Sequence, residues 1–255
     1  MNESTGSFVV AKYNELVVTQ SNSLVESAHS LTLNEKRVLM LGISQLDSRK
    51  PDRRAGEVVI YAEEFAGIFN MPLRHCYEVL KEGTAKLYNR DIRKFIANGR
   101  VTKHQRWLEA VAYQEGAGCV SMTFTQGVMP LLTLLHREFT SFQLKQIGGL
   151  SSFYAIRFYE LLIQFKKTGQ RVITVERLRD ILDVGDKYAK LADLRRYVIE
   201  PSLDDINQNT DLEAEMKLIS KGRKVVAYQF NMEVVERSGE EPESVMPQVN
   251  RVGHP

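Results

Sequence analysis

The order long helix, short strand, short helix, amphipathic helix, β-hairpin runs twice through these 255 residues. That order predicts an α+β protein of two tandem winged-helix domains (helix-turn-helix plus β-hairpin wing) related by pseudo-symmetry. Two observations support the duplication. Val59-Ile60, Glu63, Phe65, Ile68 and Phe69 match Val172-Ile173, Glu176, Leu178, Ile181 and Leu182 at one constant offset; one residue more then aligns Tyr77, Leu80 and Thr84 with Leu191, Leu194 and Val198. Each half also closes on a hairpin flanked by basic residues. Apolar periodicity recurs in any helix, so the shared order weighs more than the matched residues. The adjacent glycines of Ile147-Gly148-Gly149-Leu150 loosen the backbone and mark the joint. This divides the chain into a polar leader at 1–20, an N-terminal domain at 21–146, a C-terminal domain at 147–236 and a tail at 237–255.

In order, Asn22 or Ser23 caps a short helix through His29. Thr32 with Glu35 three residues later is a capping box that opens a helix with Val38, Leu39, Ile43 and Leu46 inward. A basic loop with Arg49, Lys50, Pro51, Arg53 and Arg54 ends it. Glu57–Ile60 reads as a strand, Tyr61–Phe69 as a short helix, and Leu73–Asn89 as an amphipathic helix restarted by Pro72. Strands follow at Ile92–Ile96, Arg106–Tyr113 and Cys119–Thr125, with turns at Asn98-Gly99 and Gly116-Ala117-Gly118. Val128–Leu135 holds a short helical piece around Pro130. Ser151-Ser152 caps a helix that buries Ile156, Tyr159 and Leu162. Arg171–Thr174 is a strand, Val175–Leu182 a helix, and Glu213–Ile219 with Lys224–Met232 the last hairpin, tipped by Lys221-Gly222-Arg223-Lys224. The tail carries prolines and no apolar period, which predicts disorder.

The totals describe an ordinary globular chain, 43% hydrophobic and 26% charged. No apolar run approaches a membrane span. The first residues lack the pattern of a secretory signal, so a cytoplasmic location is expected. Cys76 and Cys119 make no disulfide framework and lack metal-ligand spacing. The net charge is only +2, but seven basic residues face one acid between Lys86 and Arg106, a local excess that suits a polyanion. His29, His75, His104, His136 and His254 are isolated, and no phosphate loop ending in Gly-Lys-Ser/Thr occurs. No catalytic constellation assembles, so neither an enzyme, a cofactor nor a metal is expected. Asp204-Asp205 reads as a solvated pair, because helix neighbours point apart.

The stretch Asp186–Glu200 carries the sharpest functional reading. On a helical wheel Tyr188, Leu191, Leu194, Val198 and Ile199 face inward; Lys190, Asp193, Arg196 and Tyr197 face outward, and Arg195 lies at the apolar edge. Donors, an acceptor and an aromatic on one outer face suit a helix in a major groove, although a solvated face has the same pattern. Pro201 should end or kink this helix near Glu200. Around it, Lys187, Lys221, Arg223 and Lys224 are candidate phosphate or wing contacts. In the first module the candidates are Arg74, His75 and Lys81 on the helix, and Arg100, Lys103 and Arg106 around the hairpin.

Several blocks resemble the iteron-binding replication initiators of theta-replicating plasmids, the family of the F-plasmid initiator. They are Val18–Glu26, Leu31–Arg37, Ser152–Leu162, Asp193-Leu194-Arg195-Arg196-Tyr197-Val198-Ile199-Glu200-Pro201, and Ile206-Asn207 with Lys221–Lys224, so that the likeness spans roughly 17–235. The resemblance implies a monomer that binds direct repeats in double-stranded plasmid origin DNA, opens the duplex and recruits the host initiator and replicative helicase. It also implies a homodimer that represses its own gene, and chaperones that separate the dimer. In that family the residues matching Asp193 and Arg196 read base edges. Lys190 and Arg195 then become phosphate contacts. Some members carry a third basic residue where this chain has Tyr197, which puts a phosphate contact there in doubt. Two alternatives use the same helices: a winged-helix transcriptional repressor without an initiation role, and a protein–protein module.

Overall fold

The computed structural model describes residues 15–49, 56–96 and 101–236. The start of the leader, the basic loop at Lys50, Pro51, Arg53 and Arg54, the Asn98-Gly99 turn, Arg100 and the tail beyond 236 lie outside the described residues.

Strand β1 (Val17–Ser21) leads into α1 (Asn22–Val25). The Ser21 side chain accepts from the Leu24 amide, so the cap falls one residue before the expected pair, and the helix closes at Val25, short of His29. Helix α2 (Leu33–Ser44) opens on the expected capping box: the Thr32 hydroxyl accepts from the Glu35 amide at 3.3 Å, and the Glu35 carboxylate accepts from the Thr32 amide at 2.9 Å. Then follow β2 (Glu57–Tyr61), α3 (Ala62–Phe69) and α4 (Leu73–Tyr88), with Asn70 at φ 47° closing α3. The next strands are β3 (Asp91–Ile96), β4 (Val101–Arg106), β5 (Leu108–Gln114) and β6 (Cys119–Phe124). The strand expected at Arg106–Tyr113 is β5, and β4 before it is an additional, unexpected strand. The chain turns inward at Trp107, which is fully buried, and β4 and β5 join different sheets.

A short 3₁₀ turn at Met129–Leu131 precedes β7 (Phe139–Gln143). Strand β7 pairs antiparallel with β1, Val18 opposite Phe142, which closes the N-terminal half on itself. Beyond α5 (Lys145–Gly148), the second half holds α6 (Phe153–Ile163), β8 (Gln170–Thr174) and α7 (Val175–Leu182). A turn covers 183–190. A helical rod covers 191–209, made of α8 (Leu191–Leu194), a π-turn (Arg195–Ile199) and α9 (Glu200–Asn209). Strands β9 (Leu212–Lys221) and β10 (Lys224–Val234) finish the described chain.

The pseudo-symmetry appears in strand order. The sheets read β2-β6-β5 and β8-β10-β9, so in each half the strand before the helix-turn-helix pairs with the last strand of the closing hairpin. The β3–β4 hairpin is an extra two-stranded unit with no counterpart among the described residues of the second half. The first wing is therefore β5–β6, not the hairpin on which Lys103 and Arg106 lie.

One apolar core runs through both halves, from Val18 to Met232. A buried polar knot is set in the seam. Glu160 of α6 accepts from Gln20 Nε2 (2.7 Å), Lys36 Nζ (2.8 Å) and Arg157 Nη1 (2.7 Å). Arg157 also donates to the carbonyls of Val25 and Ser27. Burial lowers the Lys36 pKa to about 8, and Glu160 next to it opposes that shift. The Glu160 carboxyl itself is held below its ordinary range by the Lys36 and Arg157 charges, which outweigh desolvation. Nearer the surface, Glu26 pairs with Arg171 and Arg177, and Arg93 with Asp183. The glycine joint is packed: Ile147 and Leu150 are fully buried, and a Cβ on Gly148 would meet the Ile68 carbonyl oxygen at 2.7 Å. Asp205 is no solvated partner of Asp204; it accepts from the Ser151 amide and hydroxyl, both at 2.8 Å, and ties α6 to α9.

Candidate nucleic-acid interface

The helix expected from Asp186 begins at Leu191. Gly185 at φ 51° and Tyr188 at φ 56° are left-handed, a conformation that no helix continues through. Lys187 and Tyr188 therefore lie in the turn, and Lys190 is the N-cap, with Lys187 and Lys190 both exposed. Inside the rod the wheel holds: Leu194, Val198 and Ile199 are buried, while Arg196 and Tyr197 are exposed and Asp193 half-exposed. Pro201 does not end the helix. Its missing N–H and its ring would disrupt an α-turn onto the Tyr197 carbonyl. The preceding π-turn widens the backbone there and lets α9 run on to Asn209. Leu203 and Ile206 pack as expected.

Arg195 is engaged: its Nε lies 3.0 Å from a Glu200 carboxylate oxygen, so it is a poorer candidate for a phosphate than Lys190. The Arg196 guanidinium lies 5.5 Å from the Tyr197 ring centre, and that ring lies 6.5 Å from Tyr188. Tyr197 thus supports Arg196 by cation–π contact. Among the described residues, Lys187, Lys190, Asp193 and Arg196 make no ion pair.

The second wing is a long hairpin that ends with Lys221 opposite Lys224 and carries a bulge between Val225 and Ala227. Gly222 takes φ 64° at the first loop position, which glycine tolerates best. Lys221, Arg223 and Lys224 are all exposed at the tip.

The corresponding surface of the first half is arranged otherwise. On α4, Arg74 Nε donates to His75 Nε2 at 3.0 Å, and Lys86 pairs with Glu82. Lys81 donates to Glu115 at 3.0 Å, and this hydrogen bond, with the Glu115 charge, holds the ammonium above its ordinary pKa. Glu115 sits at the tip of the β5–β6 wing, so the first wing closes onto its own helix through an acid. Lys103 and Arg106 are exposed on β4, where Arg106 pairs with Asp91 at 3.1 Å.

Two family models match this chain. One, described as "Initiator Replication protein, WH1", covers residues 17–163; the other, "Initiator Rep protein, WH2", covers 174–232. The chain belongs to the initiator Rep protein family. Among its relatives is an Escherichia coli "Uncharacterized 27.6 kDa protein", 27% identical over 220 residues, which cover 82% of this chain and 92% of that one. Another, an E. coli "Replication initiation protein", is 24% identical over 231 residues, 86% of this chain and 70% of that protein. The crystal structure of the Pi initiator protein in complex with iteron DNA superposes with a TM-score of 0.74 at 23% identity, covering 88% of this chain and 98% of that one. The two tandem winged-helix domains read from the sequence are thus those of an initiator Rep protein.

Two features of this Rep chain escaped the sequence. Arg179, on the last turn of α7, donates from Nη1 to the Tyr188 carbonyl (2.9 Å) and from Nη2 to those of Gly185 (2.5 Å) and Lys187 (2.9 Å). Lys81 is tied to Glu115, a partner 34 residues away in sequence. Neither contact leaves a local pattern. Among the described residues, no group of three or more His, Cys, Asp or Glu is placed to hold a metal, and no helix is long and apolar enough to cross a membrane.

Proposed function

We propose that this chain initiates plasmid replication by binding direct repeats in double-stranded origin DNA, with the second winged helix as its reading head. Asp193 accepts from a cytosine amino group and Arg196 donates to guanine, each at a base edge in the major groove. Lys187, Lys190, Lys221, Arg223 and Lys224 contact phosphates beside it, while Arg195 and Tyr197 brace the rod. In the first half, Arg74, His75, Lys103 and Arg106 add sequence-independent attraction. Lys81, already paired with Glu115, adds least.

The observation that carries this reading is an outer face with Arg196 exposed and Asp193 half-exposed, neither ion-paired among the described residues, on a buttressed rod followed by a basic wing, in a chain of the initiator family. The Pi initiator, of like fold, is solved in complex with iteron DNA. Origin opening, recruitment of the host initiator and helicase, and self-repression by a homodimer extend the same reading. Deleting the gene tests it at the coarse level: the plasmid should fail to replicate unless the protein is supplied. Normal replication without it would leave the repressor reading in place.

A further inference from the structure

We infer that Arg179 is the positioning residue of the reading head: it fixes the turn that aims the rod, and so sets sequence preference without touching DNA. The inference rests on the base-reading role proposed for Arg196. Arg179 holds both edges of the 183–190 turn. Its own carbonyl accepts from the Val184 amide and caps α7, while its guanidinium spans three carbonyls, those of Gly185, Lys187 and Tyr188. A planar fork suits this; an ammonium, a point donor on a flexible stem, does not. The turn needs a clamp because Asp183, Gly185 and Tyr188 all adopt left-handed backbone, which costs the two non-glycine residues most.

The clamp connects directly to the reading side chains. The Tyr188 carbonyl is bound by Arg179, the Tyr188 ring faces Tyr197, and the Tyr197 ring carries the Arg196 guanidinium. Lys190, the N-cap of α8, follows two residues after Tyr188. Gly185 and Lys187 are exposed, so water can replace the lost donors at their carbonyls if Arg179 is removed. The fold should then survive while the direction of the rod and the placement of Arg196 relax.

The test uses the full chain and two duplexes: one selected by the wild-type protein from a random-sequence pool, and one of scrambled sequence. Arg179→Gln should reduce the ratio of the two affinities about tenfold, the scale of one lost base contact, with little change on the scrambled duplex and an unchanged salt slope. Arg179→Lys should recover only part of the ratio. Combined with Arg196→Ala, Arg179→Gln should add little further loss, because both act on one contact. Equal losses on both duplexes with a flatter salt slope would make Arg179 a phosphate contact and overturn the inference; so would full rescue by lysine. An Arg196→Ala variant that keeps the full ratio would instead remove the reading on which the inference rests.

Discussion

The two winged helices share strand order and differ in what their outer faces are free to do. The second presents Lys187, Lys190 and Arg196 without ion pairs, and a two-residue wing tip flanked by lysines. In the first, Lys81 is bound to Glu115 and Lys86 to Glu82, and the wing tip itself carries an acid. On the function proposed above, topology alone does not make a reading head. A helix specifies sequence when its polar groups are left for the bases, and internal pairing withdraws them. In the first half, Arg93, Lys94, Lys103 and Arg106 lie on the extra β3–β4 hairpin, where Arg93 and Arg106 are themselves ion-paired.

The largest effect should come from the seam that makes the two halves one body. Glu160→Leu leaves Lys36 and Arg157 buried without their acid. It should cost about 3–5 kcal/mol of unfolding free energy in urea titration, and both halves should unfold together. If the halves melt separately in the wild type, the seam is not what couples them.

Next comes a contrast between the domains. Arg196→Ala should weaken binding to the selected repeat by about 1–3 kcal/mol and relax one base pair, measured by fluorescence anisotropy. Arg74→Ala should lower affinity for repeat and random duplex alike. Swapped behaviour would place the reading head in the first domain.

The seam also predicts a pH dependence. His29 is fully buried; burial, then the Arg157 and Lys36 charges, push its pKa well below the ordinary 6.5. The unfolded chain therefore binds a proton near pH 6.5 that the folded chain refuses. Stability is greatest above that pH and falls as pH drops through it. His29→Phe should flatten this part of a urea-midpoint curve between pH 7.5 and about 5.5. An unchanged slope would mean that other groups carry it.

The smallest effects should come from single phosphate contacts. Lys190→Ala and Arg223→Ala should weaken all sequences alike and reduce the salt slope by about one each. Lys81→Ala should leave the slope nearly unchanged, since Glu115 already neutralises it. A slope change equal to that of Lys190→Ala would place Lys81 on DNA.

Much of this was legible in the sequence because it is local. The Thr32–Glu35 capping box, the Val175–Leu182 helix, the Lys221–Lys224 tip and the inward face of the rod each rest on residues within a few turns of one another. The parts that were not legible depend on distant partners or on backbone choices that periodicity does not encode. The apolar pattern of Val17–Ser21 does not name Phe139–Gln143 as its partner. Asp186–Lys190 fits a helical wheel, yet left-handed Tyr188 and the Arg179 clamp make it a turn. Pro201 signals a helix end or kink near Glu200; the helix does not end there, and the backbone is distorted into a π-turn just before it. At the site, the outward positions of Asp193 and Arg196 could be read from the wheel, whereas the base-reading role proposed for them came from the family resemblance. The wheel already set Arg195 at the apolar edge, and Glu200 gives it a partner there; demoting Lys81 required seeing Glu115 beside it.

The most direct test of the central claim is selection from a random duplex pool by wild-type, Arg196→Ala and Arg74→Ala proteins. A reading head in the second winged helix predicts that Arg196→Ala loses preference at one position of the selected repeat, while Arg74→Ala returns the wild-type repeat unaltered. A repeat unchanged by Arg196→Ala but altered by Arg74→Ala would contradict it.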